Sequence, residues 1–332
     1  MGTTTEKLQY LNETKSLIKT AIINKGVDVI NTDTFRSYVD KIEEIPTTVV
    51  EEIVKAEKYG MTMDSFLGDV DENGVLQAPQ PFSFNGVGIK DLSENTLRKA
   101  FEYNTLIENF TMPDITEVTT DAGFNQVCYQ ASNLNSVSFP MLETVNGGSC
   151  FYGAFYGSPI TNISFPKLKS VKGSSCFNNA FYNCQNLKNV AFESLESVSD
   201  SYVFNGAFAY CTNLESASFP SLKTINGYFR EAFKECTNLE SVDFSAVEDI
   251  TNSGVFEQAF KNCTSLTSFS LPNLNYTNYG NPFGNSSSTY AFSGCTALTE
   301  IHFRADMQST IENYTGYADK WGAVNATIYF DL

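Results

Sequence analysis

Residues 204–225 read Phe-Asn-Gly-Ala-Phe-Ala-Tyr-Cys-Thr-Asn-Leu-Glu-Ser-Ala-Ser-Phe-Pro-Ser-Leu-Lys-Thr-Ile, and the phrase returns from about residue 100 to residue 303. Its skeleton is Phe-x-x-Ala-Phe-x-x-Cys-x-Asn-Leu-x-Ser-x-x-Phe-Pro-x-Leu-x-x-Val. The second Phe falls at Phe101, Phe155, Phe181, Phe208, Phe233, Phe260 and Phe292, with Cys128 in that slot in the second copy. The steps are 27, 27, 26, 27, 25, 27 and 32 residues. A fixed period in this range marks a solenoid, because one such unit buries its apolar face only by stacking on its neighbours. The expected architecture is therefore a β-rich solenoid of about eight repeats of 25–32 residues.

Within each copy the segment Leu-x-x-Val-x-Phe alternates as a half-buried strand does. The inward triplets are Leu134/Val137/Phe139, Leu187/Val190/Phe192, Leu214/Ala217/Phe219, Leu239/Val242/Phe244 and Leu298/Ile301/Phe303. Pro140, Pro166, Pro220 and Pro272 follow and end the strand, since Pro lacks the N–H a ladder needs. A second apolar pair comes next, as in Leu142/Val145, Leu168/Val171, Leu195/Val198 and Leu222/Ile225. The Ala-Phe step then opens the return segment. Asn133, Asn186, Asn213 and Asn238 form a column expected to bond neighbouring turn backbones.

The eight cysteines fall on repeat positions. Cys184, Cys211, Cys236, Cys263 and Cys295 stand three residues after the motif Phe, Cys150 and Cys176 five before it, and Cys128 replaces it. All are apolar slots, where free Cys packs as a small hydrophobe. Equivalent residues in a stacked ladder lie roughly 4.8 Å apart with parallel Cβ vectors, which disfavours disulfides. Buried thiols are favoured over disulfides or a metal.

The Ala-Phe-x-x-Cys-x-Asn-Leu-x-Ser-x-x-Phe-Pro core, over roughly residues 82–303, resembles the BspA-like leucine-rich repeats of bacterial and phage surface proteins. That resemblance implies a curved leucine-rich-repeat solenoid that binds proteins or glycans and carries no enzymatic chemistry. Phe82, Phe84, Ile89 and Leu92 are expected to form the first cap, and Trp321, Ile328 and Phe330 the last.

Residues 1–45 read as a helical hairpin, with Leu8, Leu11, Ile18 and Ile22 at helical spacing, Gly26 as the stop, and a second helix through Phe35, Tyr38, Val39, Ile42 and Ile45 before Pro46. The class is thus α+β: a helical attachment or oligomerisation segment (1–60), a linker or hairpin (61–81), and the solenoid with its caps (82–332). LQYLNETKSLIKTAIINKGVDVINTDTFRSYVDKIEEI (8–45) is similar to the N-terminal helical segment of tailed-phage virion proteins, and YADKWGAVNATIYF (317–330) to the closing segment of phage-encoded repeat proteins. The linker contains Asp69, Asp71 and Asn73 at the spacing of the first half of a calcium loop. Gln80 stands where the bidentate Glu belongs, so a plain Asn73-Gly74 turn is favoured over a weak metal site.

A net charge of −17 argues against nucleic acid and anionic lipid as partners. No apolar run reaches the length of a membrane span. No secretory h-region, myristoylation motif or anchor signal is visible, so the expected place is a virion assembled in a host cytoplasm and released by lysis, with the bacterial cell surface as the alternative. No P-loop, GxGxxG, GxSxG or HExxH pattern occurs, and the single histidine, His302, sits between two inward strand residues and should point outward. Neither enzyme activity nor a cofactor is expected. A binding face is easier to argue. Tyr129, Tyr156 and Tyr182 directly follow the motif position, Tyr152, Tyr210 and Tyr228 lie near it, and Tyr276, Tyr279 and Tyr290 fall in the polar insertion of the longest step. Aromatic faces stack on sugars and tyrosines give rigid contact area; the competing reading half-buries them beside the Phe column. The expected function is a phage fibre or adhesin, homo-oligomeric, bound to other virion proteins through residues 1–60 and to a host-surface glycan or protein through the solenoid. The alternatives are a bacterial surface adhesion protein and a purely structural virion component.

Overall fold

The computed structural model describes residues 81–90, 92, 97–277 and 280–332. The chain divides into two compact units, residues 1–82 and 83–332. The expected helical hairpin, the linker and the Asp69, Asp71 and Asn73 half-loop lie outside the described residues.

Seven successive repeats contribute two short strands each, and the described end rungs contribute the first strand alone. The first strands are β1 (Phe82–Asn85), β2 (Ile107–Thr111), β4 (Ser136–Ser138), β6 (Asn162–Ser164), β8 (Asn189–Ala191), β10 (Ser216–Ser218), β12 (Ser241–Asp243), β14 (Ser268–Leu271), β16 (Glu300–Phe303) and β17 (Thr327–Phe330). The second strands are β3 (Glu117–Val118), β5 (Thr144–Val145), β7 (Ser170–Val171), β9 (Ser197–Asp200), β11 (Thr224–Gly227), β13 (Asp249–Ile250) and β15 (Tyr276–Thr277). The second set forms one seven-stranded sheet whose neighbours are always consecutive repeats. The first set runs as three sheets, β1-β2-β4-β6, β12-β10-β8 and β14-β16-β17. Pairing is parallel and in register: Ser216 stands opposite both Asn189 and Ser241, and Ile225 opposite both Val198 and Ile250. The second apolar pair of the repeat is thus a strand in its own right, which two residues of alternation do not reveal. The prolines follow their strands as expected; β10, for example, ends two residues before Pro220.

Register stacks identical residues, and the interior is built of Phe ladders. Phe139, Phe165, Phe192 and Phe219 stack with ring centroids 5.0, 5.7 and 5.4 Å apart. Phe124, Phe151, Phe177 and Phe204 form a second file at 4.9, 4.8 and 5.2 Å. Phe155, Phe181, Phe208 and Phe233 form a third. Neighbouring files meet edge to face, as Phe151 does on Phe165 at 88°, the geometry the ring quadrupole favours. Nearly all expected inward positions are buried; Val242 is half-buried.

The return segment satisfies its backbone in two directions. Alternate N–H groups reach the next repeat: Phe124 to Cys150 O (2.8 Å), Gln126 to Tyr152 O (2.9 Å) and Cys128 to Ala154 O (2.7 Å). The intervening ones close tight turns, such as Val127 to Phe124 O (3.1 Å) and Tyr129 to Gln126 O (3.3 Å). Every fourth residue takes a left-handed conformation: Ala122, Gln126 and Gln130, then Ser149, Gly153 and Gly157, then Ser175, Asn179 and Asn183. Where the chain enters this segment, backbones approach so closely that a Cβ on Gly173 would lie 2.0 Å from the Gly147 carbonyl oxygen, so only glycine fits.

All eight cysteines are buried and free. The main column does more than fill space. The thiols of Cys184, Cys211, Cys236, Cys263 and Cys295 lie 3.2, 3.1, 3.1, 3.0 and 2.9 Å from the carbonyl oxygens of Phe155, Phe181, Phe208, Phe233 and Phe260, one repeat back. Ser158 occupies the same slot and donates to Cys128 O at 2.8 Å. The Asn column bonds as expected at Asn133, Asn186 and Asn213, to the carbonyls of Thr105, Pro159 and Gln185. Asn238 instead reaches the Asn213 side chain.

At the start of the repeats Phe84 stacks on Phe110, and Leu92 is buried. At the far end Trp321 is fully buried against Phe283, with centroids 4.6 Å apart, and its indole donates to Thr315 O. Ile328 and Phe330 are half-buried in β17. The longest step was expected to be a polar loop, and residues 285–288 are exposed. Phe283, however, enters the core, and Asn281 is buried with its amide on Gly284 O and Thr315 O. Among the described residues no helix is long and apolar enough to cross a membrane.

Candidate ligand-binding face

The tyrosines follow from the register. Tyr129, Tyr156 and Tyr182 occupy one slot in consecutive repeats, so their rings recur at the rung spacing, which is also a stacking distance. Tyr129 and Tyr156 lie with centroids 4.8 Å apart at 15°, and Tyr156 and Tyr182 4.6 Å apart at 5°. Tyr210 stands one residue later in its repeat and joins the file tilted, 5.0 Å from Tyr182. Tyr103, which the sequence reading missed, extends it at the other end, edge-on to Tyr129 at 5.7 Å and 60% exposed. The signal was present, because Tyr103 stands two residues after Phe101 as Tyr210 does after Phe208. The other four rings are half-buried.

Two readings stood for these residues, sugar stacking on ring faces and half-burial beside the Phe column, and the rings are half-buried. In the ladder the faces of Tyr129, Tyr156 and Tyr182 are largely taken by one another, so what these rings turn to solvent is edge and phenol oxygen. Burial raises the Tyr182 phenol to about 12, helped by neighbouring Tyr210 and Tyr156, and raises Tyr129 with Tyr156 and Tyr103 beside it. Both therefore stay protonated, able to donate and accept.

The other candidates scatter. Tyr152 is exposed at 37%, next to the ladder. Tyr228 stacks on Tyr202 at 5.7 Å, near the opposite end of the return segment. Tyr290 is 8% exposed and donates to Asp319 at 3.1 Å, lining a shallow groove with Ser287, Ser293, Lys320 and Val324. Tyr276 contributes backbone to β15; its side chain and all of Tyr279 lie outside the described residues.

His302 faces outward as expected, its ring stacked on Tyr329 at 4.8 Å and its Nδ1 2.8 Å from Asp331. Burial pushes the main-column thiols upward, so they are poor nucleophiles. Among the described residues no cluster of three or more His, Cys, Asp or Glu side chains is placed to hold a metal.

Comparison with known proteins agrees with this repeat geometry. The BspA type leucine rich repeat region matches in six copies, over residues 94–206, 152–289 and 258–317. A solved structure of a leucine rich cell surface protein from Faecalibacterium prausnitzii is similar over 68% of this chain and 71% of that one, at 15% identity and a TM-score of 0.25. No curated protein matches the sequence. With its repeats covered by that family over more than half its length, the chain belongs to the BspA-type leucine-rich repeat family.

Proposed function

We propose that the chain is a non-enzymatic recognition protein whose solenoid presents the Tyr103–Tyr210 file to a glycan or protein on a cell surface. The observation that carries this reading is the file itself: five phenols held in series by the backbone register. A rigid array of rings with polar tips offers contact area at little entropic cost. The test is binding of the labelled full-length chain to a panel of intact bacterial cells. A Tyr156→Ala/Tyr182→Ala variant that folds normally should lose binding, and undiminished binding would overturn the assignment.

A narrower form places the chain in a tailed-phage particle, with residues 1–60 joining it to other virion proteins and to sister chains. The resemblance of the sequence at 8–45 to tailed-phage virion proteins supports it. The second resemblance, at 317–330, has a structural account of its own, because Trp321 and β17 complete the last rung. Mass spectrometry of purified particles tests the virion form, and absence of the chain would count against it. Peptides shaved by protease from intact cells that carry no phage would favour a bacterial surface protein instead.

A further inference from the structure

Four consecutive return segments carry no charged residue over 122–131, 148–158, 174–185 and 201–211, in a chain where 18% of residues are charged; one carboxylate, Asp121, stands at the entry of the first and accepts the Gly148 N–H at 2.6 Å. Their outer positions carry the tyrosine file and amides such as Gln126, Gln130, Asn179 and Asn183. The bordering turns are charged. Arg98, Lys99 and Glu102 stand on one side, and Arg230, Glu231, Lys234 and Glu235 on the other. The charged turns use the same backbone. Glu231 and Glu235 are left-handed, and their N–H groups donate to Glu257 O and Lys261 O at 2.9 and 2.8 Å, in the same alternating ladder. There the charges even bridge turns, Arg230 lying 3.7 Å from Glu257. The backbone accepts charge at these positions, so the neutrality of the four turns is not a condition of folding.

This neutral strip presents hydroxyls and amides at the ring spacing of 4.6–5.0 Å. An extended peptide shows same-face side chains roughly every 6.7 Å and falls out of step within a few rungs. The strip also lacks the aromatic or Arg anchor pockets that drive protein interfaces, since its ring faces are spent on each other. A polyanion finds no Lys or Arg in it. A sugar ring with its bridging oxygen, by contrast, spans about one rung, and its hydroxyls need partners that both donate and accept.

We infer that the strip between residues 122 and 211 binds a neutral, extended polysaccharide lying along the stack, one sugar per turn, held edge-on by phenol hydroxyls and amides rather than by ring stacking. This rests on the recognition reading above and names its ligand class. The test applies the full-length chain to an array of linear oligosaccharides of increasing length. Neutral probes are built from glucose, N-acetylglucosamine, galactose or mannose, and anionic probes from uronic acids, sialylated or sulfated sugars. Binding should appear on a neutral series and strengthen with length up to one sugar per uncharged turn. Tyr156→Phe/Tyr182→Phe keeps the stacked file but deletes two hydroxyls, and should weaken binding roughly tenfold or more. No neutral binding, a preference for the anionic probes, or full binding by the Phe variant would overturn the inference. Cell binding separates the two levels. If it needs Tyr156 and Tyr182 yet survives periodate treatment of the cells and is lost on protease treatment, the target is a protein: the polysaccharide falls and the recognition surface stands.

Discussion

Substituting Cys211 tests whether its column is only packing or also a hydrogen-bonded spine. The side chain is fully buried, and its thiol lies 3.1 Å from Phe181 O. That carbonyl also accepts the Cys184 N–H at 3.2 Å, so deleting the thiol does not orphan it. Cys211→Ala removes a group worth about 0.8 kcal/mol of burial. The residual cavity and the lost S–H bond bring the cost to about 2 kcal/mol. Cys211→Ser keeps a donor in a slot already shown to accept one, since buried Ser158 bonds Cys128 O at 2.8 Å. Its cost should stay under about 1 kcal/mol. For a unit of this size about 1 kcal/mol moves Tm by about 2–4 °C. The alanine variant should therefore melt about 4–8 °C lower, and the serine variant within about 4 °C of the parent. Thermal melts by circular dichroism and by fluorescence read this, the two probes together checking that the stack unfolds as one unit. A column that merely packs would tolerate Ala better than Ser. That order, or a serine variant as damaged as the alanine one, would refute the spine.

Phe219→Ala, mid-file between Phe192 at 5.4 Å and Phe244 at 5.1 Å, should cost about 3–5 kcal/mol; urea unfolding should then show a second transition as the weakened interface uncouples the two ends. Gly173→Ala places a Cβ 2.0 Å from Gly147 O and should give an insoluble or unfolded product. Gly88→Ala, with φ of +84° but no atom within 4 Å, should lose only about 1 kcal/mol in the same melt. Tyr182, raised to about 12 from an ordinary 10.0, favours the folded state below pH ~10 and loses that contribution as pH rises through its folded value. Phenolate absorbance should show a late-titrating class that Tyr182→Phe diminishes, and wholly ordinary titration would contradict the packed file.

The sequence carried the period, the inward triplets, the burial of the cysteines and most of the Asn bonds, because each repeats a side-chain type whose chemistry admits one environment. What escaped it shares a physical cause. The left-handed positions of the return segment hold Gly153 and Gly206 in two copies but Gln126, Asn179 and Glu231 in others, so the backbone requirement is diluted across residue types. The second sheet escaped because strands as short as Thr144–Val145 cannot display an alternation. The tyrosines were read either as a sugar-stacking face or as half-buried beside the Phe column, and neither reading drew a consequence of the register itself. Any aromatic repeated in one slot of a parallel stack lies at a rung spacing that is also a stacking distance. Its face is then covered by its own copies. Rings such as Tyr152, which has Asn125 and Asn178 in the flanking copies, escape this because the slot is aromatic only once. The exposed chemistry of a strictly repeated slot is therefore its polar tip, which is why the binding edge proposed for this solenoid is its phenols rather than its ring surface.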